Sequence, residues 1–392
     1  METLIFIPVV PILIGIIFAS ANEQGRRWWN ARRLTTTEYI ILIVLVSLIS
    51  TGFWFILRDS QFKAYEWLNG EVADKYSQDT SCSHCQTVCD ARDDDGNCTS
   101  SHTECDHSYD RHWYVETNYN FDGYGKIEYP TYDSQGLHVY EEWNAVQIGD
   151  AATSLHPYNN WLKPSGESDV FPVPEDMLQL YGQFVPPPTT DLVLDHTHGL
   201  KILAVGYDQS SLPPGFQMAE INRRIVFTNF AYNDDLHNNH NKALGPDKQA
   251  NLQIVYVNAQ TIPDPRFADL VLGKQRGAGK NDVTIYIATD PWPQIQWVRV
   301  TLGATEQGNE LFVIKLRDAI RNLETADNGV ILDTADAIIR SDFDRKQMAE
   351  FAGRKGSIHP TTGQIIFLYI VVTLVSLGGA WYLYNNDPLG IE

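Results

Sequence analysis

The chain has 392 residues, of which 43% are hydrophobic and 20% are charged. This length allows two or three domains, and this composition argues against a wholly disordered chain. The formal net charge is −20, whereas a protein that binds nucleic acid needs a basic face to displace counterions from phosphates. We therefore expect no nucleic-acid partner. The hydrophobic residues are concentrated near both ends of the chain, and this distribution directs attention to a membrane.

Three uncharged apolar segments have about the length that crosses a lipid bilayer. They are residues 4–21, 39–57 and 365–384, and we predict that all three are transmembrane helices in a lipid bilayer. The alternative is a buried core helix or the apolar core of a signal peptide. This alternative matters most for the first segment, in which Pro8 and Pro11 would weaken an isolated helix.

The distribution of basic residues predicts the orientation of these segments. The short loop 22–38 carries four arginines, whereas no Lys or Arg precedes the first segment or follows the third. Because short cytoplasmic loops are enriched in Lys and Arg, we expect this basic loop in the cytoplasm. The N-terminus and residues 58–364 would then lie outside the cytoplasm, and the C-terminus would be cytoplasmic. Two basic residues just before the third segment argue mildly for the opposite orientation.

The region between the second and third segments changes in composition along its length. We predict a Cys-rich segment, an aromatic β-rich region, a stiff proline linker and an α/β domain, at residues 58–110, 111–185, 186–189 and 190–352 respectively. The fold class we expect is a membrane-anchored α+β protein with three transmembrane helices. Its ectodomain would combine the Cys-rich and β-rich regions with an α/β sandwich.

The predicted α/β domain is the most regular part of the sequence. Its strands are β-branched, apolar runs bounded by turn residues: LKILAVGYD, RRIVFTNFAY, NLQIVYVNA, VTIYIATD and IQWVRVTLG. One helix is predicted in DPRFADLVLGK. Two amphipathic helices are predicted in NELFVIKLRDAIRNLE and ILDTADAIIRSDFDRKQMAEF, where apolar residues recur at helical spacing. Strands followed by amphipathic helices indicate a sheet layered with helices.

In this order of elements, residues 190–352 resemble the TPM-domain family, whose members are membrane-anchored extracytoplasmic domains of bacterial envelope and thylakoid-lumen proteins. The family usually has an Asp-Asn-Gly-like turn before its buried strand, and this chain has Lys280-Asn281-Asp282 there. It departs from the family plan in its two membrane segments before the ectodomain, its Cys-rich insert and its aromatic region. The resemblance implies an envelope setting, assembly or repair of membrane complexes, and for some members phosphatase activity.

All five cysteines lie in one short polar stretch, with His84, His102 and His107 among and beside them. The residues concerned are Cys82, Cys85, Cys89, Cys98, Cys105, His84 and His102. The pair Cys82 and Cys85 has the spacing of a zinc knuckle, and the other residues could supply two further ligands. Two disulfides plus one remaining thiol are the alternative, which an oxidising compartment would allow. In both of these cases the stretch would be structural, and zinc is the only cofactor we expect. A redox-active or free-thiol role is a third alternative.

Two other stretches combine carboxylates with imidazoles, as a metal site or a general base would. They are Asp195, His196 and His198 in the first, and Asp234, Asp235, His237 and His240 in the second. Solvated loops are the alternative for both.

Two functions from different classes fit this sequence. The first is a non-enzymatic protein that binds or scaffolds a membrane or envelope protein through exposed aromatic residues, with candidates Tyr109, Trp113, Tyr114, Trp143 and Trp161. An ordinary β core is the alternative for those aromatics. The second function is a metal-assisted, phosphatase-like hydrolase that would use the two acid–histidine stretches.

Overall fold

The computed structural model describes residues 36–83, 85–119, 126–129, 141–162, 171–188, 202–221, 224–229, 237–275, 277, 279–303 and 306–385. They divide into two compact units. The first unit includes residues up to 63, 159–168 and 348 onward, and the second includes residues 64–158 and 169–347. The first predicted membrane segment, residues 4–21, and most of the basic loop lie outside the described residues.

The helices are α1 Thr36–Phe62, α2 Glu141–Ala145, α3 Glu175–Tyr181, α4 Asn238–Lys248, α5 Phe267–Lys274, α6 Glu310–Arg321, α7 Asn328–Asp342 and α8 Thr362–Asn385. The strands are β1 Lys63–Ser81, β2 Cys85–Arg92, β3 Cys98–Cys105, β4 Tyr109–Thr117, β5 Lys126–Tyr129, β6 Ala151–Asn159, β7 Leu203–Val205, β8 Phe216–Ile221, β9 Arg224–Asn229, β10 Asn251–Asn258, β11 Asp282–Thr289 and β12 Ile295–Leu302. Short 3₁₀ helices span Gly182–Phe184 and Met348–Ser357.

The first unit is built on two long apolar helices, α1 and α8. Among the described residues, the stretches Ile40–Phe62 and Thr362–Leu383 are long and apolar enough to cross a membrane. A seam of side chains is buried between the two helices: Leu42, Val46, Trp54, Leu368, Val372 and Ala380. At one end of the pair, Gln61 Nε2 donates to Gln364 Oε1 at 2.9 Å. The end of α1 therefore lies beside the start of α8, and the two helices are antiparallel.

The second unit begins with a four-stranded sheet in the order β5-β4-β1-β6. Strand β1 pairs antiparallel with β4, so that Tyr76 lies opposite Tyr114. Trp113 is buried in the core of this sheet, and its ring lies 4.6 Å from that of Trp143. The indole of Trp143 also donates to the carbonyl of Tyr114 at 3.0 Å. The aromatic region thus forms a β-sheet whose aromatic side chains pack against one another.

A two-stranded hairpin, β2–β3, is inserted between β1 and β4. None of the side chains in these two strands is buried, so the hairpin lacks the apolar core that normally stabilises a sheet. Two disulfides join its strands instead, Cys85–Cys105 and Cys89–Cys98. The structure therefore contains the two disulfides that were the alternative to a zinc site, and Cys82 takes part in neither bridge.

The largest element of the second unit is a six-stranded mixed sheet in the order β12-β11-β10-β7-β9-β8. Strand β10 is parallel to β7 and β11, whereas β12 is antiparallel to β11. Every residue of β10 and β11 is buried, as expected for central strands covered on both faces. The predicted mixed α+β fold is confirmed, and the predicted runs at β10, β11 and β12 are strands.

Helices cover both faces of this sheet. Phe312 and Ile320 of α6 and Ile339 of α7 belong to the core on one face. Phe267 of α5 and Met177 of α3 belong to the core on the other face. Burial of these apolar stripes explains why the amphipathic sequences of α6 and α7 form helices.

The proline-rich stretch 186–188 packs against the second unit. Val185, Pro186 and Pro187 are buried, and Gln275 Nε2 donates to the carbonyl of Pro187 at 3.0 Å. Described residues on both sides of the predicted linker belong to the same compact unit.

Candidate functional site

The base of the β2–β3 hairpin brings together residues from five neighbouring chain segments. Cys82 follows the end of β1, Cys85 begins β2 and Cys105 ends β3. Asp110 is the second residue of β4. His107 lies in the short connection between β3 and β4. We call these five residues the sulfur site. Antiparallel pairing places Cys85 directly opposite Cys105, which is why the ends of the hairpin meet here.

Three sulfur atoms converge in the sulfur site. The Sγ atoms of Cys82, Cys85 and Cys105 all lie within 4.8 Å of one another, and the last two form a disulfide. Cys85 and Cys105 are exposed, and Cys82 is partly exposed. A thiol is thus held next to an accessible disulfide.

An imidazole and a carboxylate complete the sulfur site. The Nε2 atom of His107 lies 3.3 Å from Cys82 Sγ, and the same atom is hydrogen-bonded to Asp110 Oδ1. The other carboxylate oxygen of Asp110 accepts hydrogen bonds from Ser83 N and Ser83 Oγ, both at 2.7 Å. The bond from His107, followed by those from Ser83, holds the pKa of Asp110 well below its usual range. Asp110 is therefore a carboxylate at neutral pH.

This arrangement has a defined chemistry. A carboxylate only accepts hydrogen bonds, so the Nε2 atom that contacts Asp110 carries the proton. The same nitrogen lies 3.3 Å from Cys82 Sγ, but its single N–H group is donated to Asp110. In a hydrolase triad the carboxylate and the nucleophile bind opposite ring nitrogens, which is not the arrangement here. The donor atoms of Cys82, His107 and Asp110 also lie within 4.8 Å of one another and could hold a metal ion.

Of His84 and His102, which the sequence singled out as possible ligands, only His102 is among the described residues. His102 lies on the exposed strand β3, where its Nδ1 pairs with Asp90 at 2.5 Å, and His84 lies outside the described residues. Asp110 was missed by sequence reasoning. Its only signal is the spacing of Cys105, His107 and Asp110 across one tight connection.

The aromatic residues proposed for partner binding differ in their burial and belong to different units of the fold. Trp113 and Tyr114 are buried, so the expectation of an exposed contact surface is wrong for these two side chains. Tyr109 and Trp143 are partly exposed in the second unit. Trp161 is partly exposed and belongs to the first unit.

Of the acid–histidine stretches, only His237 and His240 are among the described residues. The others, Asp195, His196, His198, Asp234 and Asp235, lie outside them. His237 is fully buried and its Nε2 lies 2.7 Å from the carbonyl oxygen of Leu252. His240 lies in the first turn of α4 and contacts Asp333 at 3.3 Å and Asp336 at 3.5 Å. The described histidines thus join α4 to β10 and α7 rather than forming a loop site.

A second charged cluster is buried where the four-stranded and six-stranded sheets meet. The carboxylate of Glu66 is fully buried, and it accepts from Lys280 at 3.0 Å and from Arg345 at 2.9 and 3.1 Å. Burial lowers the pKa of Lys280, and burial raises the pKa of neighbouring Asp282 to about 6. Asn281 donates to the carbonyl of Trp67 at 2.6 Å. The turn 280–282 is therefore a structural junction between the sheets.

No protein-family model, curated protein or solved structure shows significant similarity to this chain. The TPM resemblance therefore stays a prediction, and function must be argued from the residues themselves.

Proposed function

We propose that this chain is a membrane-anchored protein whose second unit lies outside the cytoplasm and binds or scaffolds another membrane or envelope protein. The observation that carries the proposal is the outer surface of the α1–α8 pair. Large apolar side chains point away from the seam along both helices, and Leu48 is 66% exposed while Leu374 is 63% exposed. Water would disfavour so continuous an apolar surface, whereas lipid would solvate it.

The sidedness of the proposal is supported by three further features. Because α1 and α8 are antiparallel, the residues that join them leave and re-enter the membrane on the same side. This intervening region contains two disulfides, which persist in oxidising compartments outside the cytoplasm. The arginine-rich loop 22–38 precedes α1, so it would lie on the opposite, cytoplasmic side.

The binding role is supported by the β2–β3 hairpin. It exposes both of its faces and holds its shape by disulfides, so its ordered surface is available to a partner. Of the residues that a metal-assisted hydrolase would use, His237 and His240 are described, and both are engaged in contacts within the fold.

Membrane integration can be tested with a matched pair of substitutions. We expect Leu48→Arg to reduce the fraction of protein that resists carbonate extraction, since an arginine near the middle of a transmembrane helix costs about 3 kcal/mol. Leu311 on α6 is equally exposed, at 64%, and Leu311→Arg should leave extraction unchanged. Complete extraction of the wild-type chain by carbonate would refute the anchor.

The sidedness and the binding role need separate measurements. Protease added to intact cells should degrade residues 63–361, and a cytoplasmic location of this region would contradict the proposal. A photo-crosslinker at Thr103 on the hairpin should capture a specific membrane or envelope protein, whereas one at Leu311 should not. Identical products from both positions would argue against a binding role for the hairpin.

A further inference from the structure

We propose that Cys82, His107 and Asp110 form a binding site for one zinc ion at the base of the β2–β3 hairpin. The ligand atoms would be Cys82 Sγ, His107 Nε2 and Asp110 Oδ1, with the fourth position of a tetrahedron open to water. Of the zinc ligands predicted from the cysteine spacing, only Cys82 belongs to this set. The site lies within the second unit, and it does not depend on the membrane placement or the binding role proposed above.

The first argument is the convergence of three donor atoms of different chemical types. The sulfur of Cys82, a ring nitrogen of His107 and a carboxylate oxygen of Asp110 all lie within 4.8 Å of one another. At the usual bond lengths, two ligands of a tetrahedral zinc ion are separated by roughly 3.3–3.8 Å. The separation of 3.3 Å between Cys82 Sγ and His107 Nε2 is of this size. A sulfur and an imidazole favour zinc over calcium or magnesium, which prefer oxygen ligands.

The second argument is that the chain segments carrying these ligands are already tied together. Cys82 lies three residues before Cys85, and His107 lies two residues after Cys105. The disulfide between Cys85 and Cys105 therefore holds the two segments side by side. The side chains of His107 and Asp110 are only 6% and 11% exposed, whereas Cys82 is partly exposed. The ligands are thus shielded on one side and open to an entering ion on the other.

The third argument is the support around Asp110. Its Oδ2 atom accepts hydrogen bonds from Ser83 N and Ser83 Oγ, both at 2.7 Å. In metal sites the ligating carboxylates are themselves hydrogen-bonded, and these outer contacts orient the ligand. The contacts from Ser83 occupy Oδ2 and leave Oδ1 directed at His107, which is the side where the ion would bind.

Zinc binding exchanges protons for the metal. His107 Nε2 donates its proton to Asp110 in the metal-free arrangement. The ion would take the place of that proton, the nitrogen and oxygen would move apart to admit it, and the imidazole would carry its proton on Nδ1. The thiol proton of Cys82 would be released to water, as metal binding by a cysteine requires. A thiolate and a carboxylate then balance the two positive charges of zinc.

The proposal can be tested by calorimetric titration and native mass spectrometry of the full chain, purified in mild detergent without a chelator. We expect one bound zinc ion per chain, which magnesium and calcium at the same concentration do not displace. Cys82→Ala, His107→Ala and Asp110→Asn should each weaken zinc binding at least about tenfold. The matched control is His102→Ala, because His102 is an exposed histidine of the same hairpin. This variant should bind zinc with the wild-type affinity.

Cobalt provides a readout of the ligands themselves. Co²⁺ bound to a thiolate absorbs in the near ultraviolet through sulfur-to-metal charge transfer. This band should appear in the wild-type protein and be absent from Cys82→Ala. Ser83→Ala removes one hydrogen bond to Asp110 and no ligand, so it should weaken zinc binding about tenfold while retaining the band.

Two results would overturn the proposal. The first is a wild-type chain that binds no zinc at about a tenfold molar excess of the ion. The second is wild-type affinity in both His107→Ala and Asp110→Asn, even where Cys82→Ala loses binding, because zinc would then be held by a thiol without the other two ligands. Asp110→Asn keeps the shape of the side chain, and disulfide mapping of each variant shows that the hairpin bridges are intact.

Discussion

Replacing Glu66 by glutamine should destabilise the second unit far more than replacing Lys280 by methionine. One buried carboxylate faces two buried cations: the side chain of Glu66 is 0% exposed, that of Lys280 7% and that of Arg345 5%. Glu66→Gln leaves both cations without their shared counterion. Removing one partner of a buried ion pair typically costs about 3–5 kcal/mol, and here a single change affects two pairs.

Lys280→Met has the opposite electrostatic consequence. It leaves Glu66 paired with Arg345 through two hydrogen bonds, and it removes a cation whose pKa burial has lowered. The remaining Glu66–Arg345 pair is balanced in charge, so we expect a loss smaller than the roughly 3–5 kcal/mol of a buried charge left without its counterion.

The assay is urea unfolding of the full chain in mild detergent, with hydrogen exchange in β10 and β11 as a local reporter. The variant with both Glu66→Gln and Lys280→Met measures the coupling, and it should be more stable than Glu66→Gln alone. Equal losses in the two single variants, or no recovery in the double variant, would refute the argument from charge balance.

Two further predictions concern the same junction. The pKa of Asp282 is raised from 3.8 to about 6, so its protonated form is favoured in the folded state. Its stabilising contribution is full below pH 3.8 and is lost as the pH rises through 6. Urea unfolding should therefore show wild type gaining about 3 kcal/mol relative to Asp282→Asn between pH 7.5 and 3.8, and parallel profiles would contradict this. A Cβ at Gly303 would lie 1.5 Å from the carbonyl oxygen of Gly279. Gly303→Ala should therefore lower the free energy of unfolding by about 1–3 kcal/mol or more. Gly329→Ala, with its nearest contact at 3.4 Å, should retain the wild-type melting temperature.

The strands and helices that could be predicted are those whose burial is evident from the pattern of apolar residues along the sequence. Strands β10 and β11 are buried on both faces, so their sequences are continuous apolar runs. Helix α6 has one buried stripe, and its periodicity is visible without a structure. Strand β8 was missed because four of its six residues are not buried. Helix α4 was missed because its sequence is polar and contains Pro246.

The sulfur site shows why functional residues are harder to predict than elements. Cysteine spacing alone was compatible with both zinc and disulfides. The choice depends on the register of β2 with β3, which places Cys85 opposite Cys105. The participation of Asp110 depends on how β4 begins after the hairpin closes. Neither register nor closure is encoded in a local motif.

The disulfide at the base of the hairpin has a structural role that can be tested. The Cys85–Cys105 bridge closes a loop with a sequence separation of 20, and a bridge of that span contributes about 3 kcal/mol on the chain-entropy estimate. The substitution Cys105→Ser removes this bridge, which joins β2 to β3.

Since a two-stranded sheet without an apolar core is marginal, the base of the hairpin should then open. We expect faster hydrogen exchange near residues 85 and 105 in Cys105→Ser, with protection retained near the Cys89–Cys98 bridge. In Cys98→Ser the pattern should be reversed. Unchanged protection at the base in Cys105→Ser would show that strand pairing alone maintains the hairpin.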